Sequence, residues 1–388
     1  MKRNVLPLFT LLFIDNLGAT LVYPLLAPLF IGPEAAFLPS PSFHPATLLG
    51  LCLALFPLMQ MFTSPFMGGA SDRCSPKVLL IVSTSLSALG FFLCGWGVDR
   101  GHLIVLMGGR ALSGIGASNL SILFSVLLGE ARKEKEGGEY LRRGAALSGV
   151  AFVVGPLIGG KLSDSSLSDT LGPSFPFFFG SVAFLSAAVC LFFWRSRSFL
   201  RVGRVSPSSK GKKRLLGIFF LFLLAWCLLF LFIPAFCVKR YSMDSGKIGS
   251  LFSLLGVFWV MGSGWVGRWL KTPSWALLGV ALLSLFLAFS LPFLIFLGVL
   301  GGITLLSGAI WPLSLSKIAS KGGVEERGRI MGLCQSVLSL ALLAASLLGG
   351  QLFPRGPLLF FAASASAWGA FFLGQSLPKV VGPSHEIE

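Results

Sequence analysis

Apolar runs of about 18–26 residues recur twelve times along this chain, near 5–31, 47–69, 77–97, 103–128, 144–162, 175–194, 215–237, 247–267, 274–291, 293–316, 329–351 and 357–377. Each is long enough to cross a hydrocarbon core of ~30 Å as a helix rising 1.5 Å per residue. In lipid, backbone N–H and C=O groups must be satisfied inside the segment itself, so runs of this kind are helical. The pattern predicts an all-α integral membrane protein of twelve transmembrane helices. Composition agrees: only 12% of the 388 residues are charged and mean hydropathy is +0.84, whereas a soluble domain carries about twice that charged fraction. The first run follows MKRN and is longer than the apolar core of a signal peptide, so it reads as the first span and not as a removed leader. The ninth and tenth runs are divided only by SLPF (290–293).

Charge placement gives the orientation. With the N-terminus inside, 24 of the 31 Lys and Arg fall in inside loops, six (Arg100, Lys161, Lys239, Arg240, Lys247, Arg355) fall outside, and Arg110 alone lies within a span. This positive-inside bias supports twelve spans with both termini cytoplasmic. The net charge of +16 sits in short loops between apolar runs, which argues against a nucleic-acid partner. The longest basic stretch, RSRSFLRVGRVSPSSKGKKR (195–214), divides the spans six and six. It reads as a cytoplasmic linker (196–214) touching anionic headgroups, between bundles 1–195 and 215–388. The seven Cys offer no disulfide framework or metal spacing, and the three His lie outside the spans. The halves echo each other: GGRALSGIGAS (108–118) corresponds in place to GGITLLSGAIW (301–311), and GPLIGGKL (155–162) to LLGGQL (347–352). A parallel repeat is the better reading of those matches. GPLIGGKL also satisfies part of a phosphate-loop pattern, but Leu162 stands where Ser or Thr is needed and no strand precedes it.

Two residues stand out chemically. Asp15 is the only acid inside any span and Arg110 the only base. Asp15 lies about ten residues into its span, roughly 15 Å at helical rise, and a carboxylate at that depth costs about 2.5–3.5 kcal/mol on insertion scales. A lone acid and a lone base in one apolar medium are expected to meet. If their separation or water access changes with conformation, Asp15 takes and releases a proton. The alternative is a fixed ion pair joining the first span to the fourth.

Four motifs occur in order. GGASDRCSPK (68–77) carries Gly68, Asp72, Arg73 and Lys77 in the spacing Gly-x-x-x-Asp-Arg-x-Gly-Arg/Lys-Arg/Lys, with Ser75 and Pro76 departing from it. FIDNLGATLVYPLLAPLF (13–30) places Asp15 before Gly18, Pro24 and Pro28; GGRALSGIGAS has Arg110, Gly114, Gly116 and Ala117; GVAFVVGPLIGG (149–160) has Gly149, Gly155, Pro156, Gly159 and Gly160. These resemble signatures of the major facilitator superfamily, in its drug:proton antiporter branch of tetracycline-efflux type. The first half carries the motifs; the second resembles the family by span pattern.

The resemblance implies the major facilitator fold, two six-helix parallel repeats, working by alternating access. It implies proton coupling at Asp15 and Arg110, and a cytoplasmic clasp of Gly68, Asp72, Arg73 and Lys77 facing Glu130, although an ordinary basic turn would also account for that loop. It implies an antiporter motif at Gly149, Gly155, Pro156, Gly159 and Gly160, and a substrate cavity between the halves lined by spans one, four, seven and ten. Polar and aromatic candidates for that path are Asn16, Gln60, Asn119, Trp226, Trp259, Trp311 and Gln335, of which Asn16, Asn119, Trp226 and Trp311 lie on those spans. The expected activity is proton-coupled efflux of a small lipophilic solute across a cell (inner) membrane by a monomer, with no cofactor, no metal and no enzymatic chemistry. The alternatives are a proton symporter or uniporter that imports a metabolite, and a transport-inactive receptor or scaffold.

Overall fold

The computed structural model describes residues 5–32, 35, 37, 44–71, 74–129, 134–164, 171–194, 210–270, 273–319 and 327–375. Among the described residues twelve spans are built from fifteen α-helices, and no strand occurs. The first span is α1 (Leu6–Leu21) with α2 (Tyr23–Ile31); the second and third are α3 (Pro45–Ser71) and α4 (Pro76–Asp99). The fourth is α5 (Leu103–Gly116) with α6 (Leu120–Gly129), and α7 (Glu134–Leu162) and α8 (Phe175–Phe193) complete the first repeat. The second repeat runs α9 (Lys210–Tyr241), α10 (Ser245–Met261) with α11 (Gly267–Trp269), α12 (Ser274–Phe286), α13 (Phe293–Ala319), α14 (Arg327–Leu352) and α15 (Leu358–Gln375). The near face below is the one from which α1 enters; the far face is where α2 ends.

The helix boundaries follow from proline and loop chemistry. α4 starts at Pro76, where the missing N–H is one that a helix leaves unpaired anyway. α9 starts inside the basic stretch, at Lys210. The ninth span is shorter than the expected 274–291: α12 ends at Phe286, thirteen residues long, about 20 Å at helical rise. Residues 287–289 form a turn (Phe289 N–H to Phe286 O, 3.1 Å). Pro292 has no N–H to continue a helix and pushes Leu291 toward extended backbone. The Tyr241 hydroxyl donates to the Leu291 carbonyl at 3.0 Å, satisfying an acceptor in that connection.

Three spans are broken near their middles. The first is interrupted at Val22, because Pro24 cannot donate to the Thr20 carbonyl. The fourth tightens into a 3-10 turn at Ala117–Asn119, where the Gln60 side-chain amide donates to the Ala117 carbonyl at 3.0 Å. The eighth widens into a π-helical turn over Gly262–Val266.

The two repeats meet mainly along three pairs of spans, first with seventh, second with eleventh, and fifth with eighth, with smaller contacts of the first with the eighth and the fourth with the eleventh. Toward the far face the contact is backbone on backbone. A Cβ on Gly160 would lie 2.6 Å from the Ser245 carbonyl oxygen and 3.0 Å from the Gly249 Cα; one on Gly50 would lie 2.5 Å from the Ser346 oxygen. No larger residue fits at these crossings. Nearer the middle, Ser339 Oγ donates to Gln60 Oε1 at 2.9 Å, joining the eleventh span to the second.

α10 begins at this far-face junction. Asp244 caps it, accepting from the Lys247 N–H at 2.7 Å and pairing with Lys247 Nζ at 2.9 Å. The Asp164 carboxylate of the first repeat reaches the same turn, 3.6 Å from where a Gly246 Cβ would sit. Partial burial pushes the Asp244 carboxyl up, but the hydrogen bonds and charge of Lys247 outweigh it and hold the group below its ordinary value. A depressed carboxylate stabilises the fold above its unfolded-state value and loses that contribution as pH falls through the folded-state value. Asp244→Ala is therefore expected to cost about 1 kcal/mol at neutral pH. In detergent melts the variant should fall about 1–3 °C below wild type at pH 7, with the gap closing below pH 3.8.

Candidate functional site

Several buried polar side chains of the spans lack partners. Among the described residues, the buried side-chain atoms with no hydrogen bond are both Asp15 carboxylate oxygens, Arg110 Nε, both polar atoms of Asn119, and Ser307 Oγ. Each orphan of this kind costs about 1–3 kcal/mol and calls for an explanation. Asn119 closes the 3-10 turn of the fourth span and lies beside the Asp15 carboxyl, without a hydrogen bond of acceptable geometry between them. Asn16, next to Asp15, turns away and donates to the Leu12 carbonyl of its own helix at 2.8 Å.

Arg110 and Asp15 do not meet in this structure. No ion pair joins them; the Arg110 guanidinium carbon lies 4.9 Å from the Phe56 ring centroid, and the residue is only 7% exposed. A cation over an aromatic face gains about 2 kcal/mol when desolvated, which gives this base a partner other than an anion. Gly114, one turn along, lets the fourth span sit against the Phe56 carbonyl and so holds the guanidinium at that ring. The expected acid–base contact is thus absent, because Phe56 of the second span occupies the cation first. The destabilisations caused by Asp15→Asn and Arg110→Met should therefore add within about 0.5 kcal/mol in a denaturation cycle, as for separated sites. A coupling above 1 kcal/mol would instead signal a direct pair.

The glycines of 149–160 use two faces of α7. Gly155 and Gly159 pack on Thr20 and the Leu21 carbonyl of the first span, and Thr20 Oγ1 donates to the Ala151 carbonyl at 3.1 Å. Pro156, Gly160 and Gly149 face α10: Gly249 abuts the Pro156 carbonyl, and Gly149 would meet Val260 at 3.1 Å. Pro156 also leaves the Phe152 carbonyl without its helical donor, and Gly256 of α10 packs directly against that oxygen. One helix therefore couples the span carrying Asp15 to the opposite repeat.

The second repeat answers with aromatic rings. Trp226 lies 4.9 Å from Trp259, which lies 6.0 Å from Trp311; Phe230 and Phe219 extend the row at 5.2 and 5.5 Å from Trp226 and Trp311. Tyr23 of the first span and Phe152 of the fifth touch it from the other repeat. Gln335 is half-buried on α14, with its backbone carbonyl 3.1 Å from Ser339 Oγ, as the longer of two acceptors for that hydroxyl. Sequence alone does not single out Phe152, Phe230 or Tyr23: nothing in the local pattern separates the two phenylalanines from the other 35.

A family model described as Major Facilitator Superfamily matches residues 8–289. The chain belongs to the major facilitator superfamily. Among curated members, the class H tetracycline resistance protein of Pasteurella multocida is 25% identical over 276 residues, 66% of this chain and 64% of that protein. The class D protein of Salmonella ordonez is 25% identical over 92% of this chain and 91% of its own length. Two solved superfamily structures share the fold: the human organic anion transporter MFSD10 (TETRAN), with TM-score 0.69 at 19% identity over 96% of this chain and 99% of that one, and a D-xylose-proton symporter, with TM-score 0.72 at 13% identity over 96% of both. The clasp expected at 68–77 and Glu130 falls only partly within the described residues. Gly68 lies within α3, and Lys77 at the start of α4 donates to the Phe192 carbonyl at the end of α8, 2.7 Å away. Asp72, Arg73 and Glu130 lie outside the described residues.

Proposed function

We propose that this major facilitator transporter exports a small lipophilic solute in exchange for a proton, with both termini in the cytoplasm of a cell (inner) membrane. The near face is then cytoplasmic and the far face outside. The observation that carries the reading is the Asp15 carboxyl, mid-span, without a hydrogen-bond partner, and beside Asn119 in the 3-10 turn of the fourth span. A group without a fixed counter-ion is free to gain and lose a proton as the surrounding helices rearrange. The tight glycine contacts toward the far face close that side, and their parting opens it. Protonation of Asp15 from outside favours release of the solute there, and deprotonation toward the cytoplasm restores the binding state.

One proton is sufficient in energy. A potential of ~150 mV acting on one charge supplies roughly 3.4 kcal/mol, enough for a gradient of about 300-fold for a neutral solute. The tetracycline-resistance relatives favour export. The fold is also that of a D-xylose-proton symporter, so import with a proton is the second reading. Flux in everted vesicles separates the two. Solute addition to acidified vesicles releases protons under antiport and draws both inward under symport, and absence of flux for every solute tested leaves a receptor or scaffold.

A further inference from the structure

We propose that Gln60 is a positioning residue that ties the Asp15 site to the contact between the two repeats; this rests on the transport reading above and names the residue through which the carboxyl and far-face closure sense each other. Gln60 is buried near the middle of the second span, and its amide is used at both ends. Nε2 donates to the Ala117 carbonyl of the fourth span at 3.0 Å, and Oε1 accepts from Ser339 Oγ of the eleventh at 2.9 Å. A carbonyl only accepts, so the amide has one orientation here, nitrogen toward Ala117 and oxygen toward Ser339. Three spans and both repeats therefore meet on one rigid plane of atoms.

Each end of this relay leads to something that transport needs. In the first repeat, Ala117 opens the 3-10 turn that Asn119 closes, and Asn119 lies beside the Asp15 carboxyl. Phe56, one turn before Gln60 on the same face of α3, holds the Arg110 guanidinium. The second span thus grips the fourth both at its base and at its turn. In the second repeat, Ser339 continues the seam between α3 and α14 that runs to the far face, where Thr47 Oγ1 donates to the Gly350 carbonyl at 3.3 Å and Gly50 abuts the Ser346 carbonyl. The two ends differ in their alternatives. Ser339 has a second acceptor in its own helix, the Gln335 carbonyl at 3.1 Å. The Gln60 oxygen has no second donor among the described residues, and a buried amide oxygen left without one is costly. When the seam parts, the serine turns back to its helix and the amide swings to find a new donor. Its nitrogen leaves the Ala117 carbonyl in the same motion, and the turn that carries Asn119 loosens beside Asp15.

The rate at which a charged maleimide modifies a buried seam position reads far-face opening without a proton gradient or an identified solute. Ser346→Cys in purified, full-length, otherwise cysteine-free protein is the reporter, because that side chain is fully buried at the crossing with α3. In an exchange cycle the proton-loaded carrier returns to the far-closed state. Asp15→Asn, a neutral mimic of the loaded carboxyl, is therefore expected to slow modification about fivefold, the weight of one hydrogen bond. In Gln60→Met or Ser339→Ala protein the same substitution should change the rate by less than about twofold, and combining the two should add nothing further, since both cut one relay. Ser339→Thr keeps the hydroxyl and should keep the full effect. Ser339→Ala carries the test if Gln60→Met does not fold. If the bond were merely structural, its loss would raise the rate by the same factor with and without Asp15→Asn. That result, or no effect of Asp15→Asn in the parent protein, overturns the proposal. Loss of the Asp15→Asn effect in Gln60→Met protein, alongside no proton exchange in vesicles, would keep the relay and remove only the antiport reading.

Discussion

Cells expressing Asp15→Asn should lose the protection that wild type gives against an exported compound, and everted vesicles carrying it should accumulate the compound to a ratio near one instead of the ~300-fold that one proton supports at ~150 mV. Asparagine has nearly the shape of aspartate and stays polar, so the packing around Asn119 and the first-span break is retained. What disappears is the ability to hold a proton in one conformation and give it up in another. Stability should not fall with activity. The Asp15 oxygens have no hydrogen-bond partner, so the amide forfeits no hydrogen bond of the fold, and it never carries the charge whose burial is costly. The variant should therefore melt at or above the wild-type temperature while its pH-driven transport is abolished. A variant that keeps the drive, or one that loses activity only because it unfolds, contradicts the assignment.

The second large effect concerns closure at the far face. Gly249→Leu places a side chain against the Pro156 carbonyl and the Gly160 backbone, where no Cβ can fit. Overpacking of this kind costs about 1–3 kcal/mol, and here the cost falls only on the state in which the fifth and eighth spans touch. A bias of that size changes the ratio of far-closed to far-open states by about 5- to 150-fold. Transport should drop at least tenfold, since alternating access requires both states. In a cysteine-free background, spin labels at His102 and Arg355, exposed far-face positions on opposite repeats, should report a longer mean separation than in the parent. Gly264→Leu is the control, because a Cβ there meets nothing within 4 Å. Equal distances and equal transport for the two variants would show that the glycine crossing is not the closing surface.

These expectations draw on sequence and structure unequally. The spans were legible because lipid imposes one requirement on all of them, a helix-length apolar run, and eleven helices satisfy it at or near the expected positions. The ninth was overextended because 287–291 are as apolar as the helix before them; the effect of Pro292 on the preceding residue ended it earlier. Asp15 and Arg110 were found because ionisable side chains in lipid are conspicuous, but their separation was not. Arg110 is held by Phe56, and a cation–π partner leaves no mark in a chain with 37 Phe. The two faces of the fifth span were half legible. Its glycines and Pro156 signalled close packing, while which of them met the first span and which the eighth depended on helix rotation. The sequence offers Gln60 as a polar lining residue, and the structure makes it a bridge from the second span to the Ala117 carbonyl and to Ser339.

The central claim is that Asp15 exchanges a proton in step with the solute, and the direct measurement is proton release by purified protein in weakly buffered detergent solution, followed with a pH indicator as an exported compound is added. Wild type should release close to one proton per molecule bound across part of the pH range, and Asp15→Asn none at any pH while still binding the compound. Equal release from both proteins, or none from wild type under any condition in which it binds, contradicts the account.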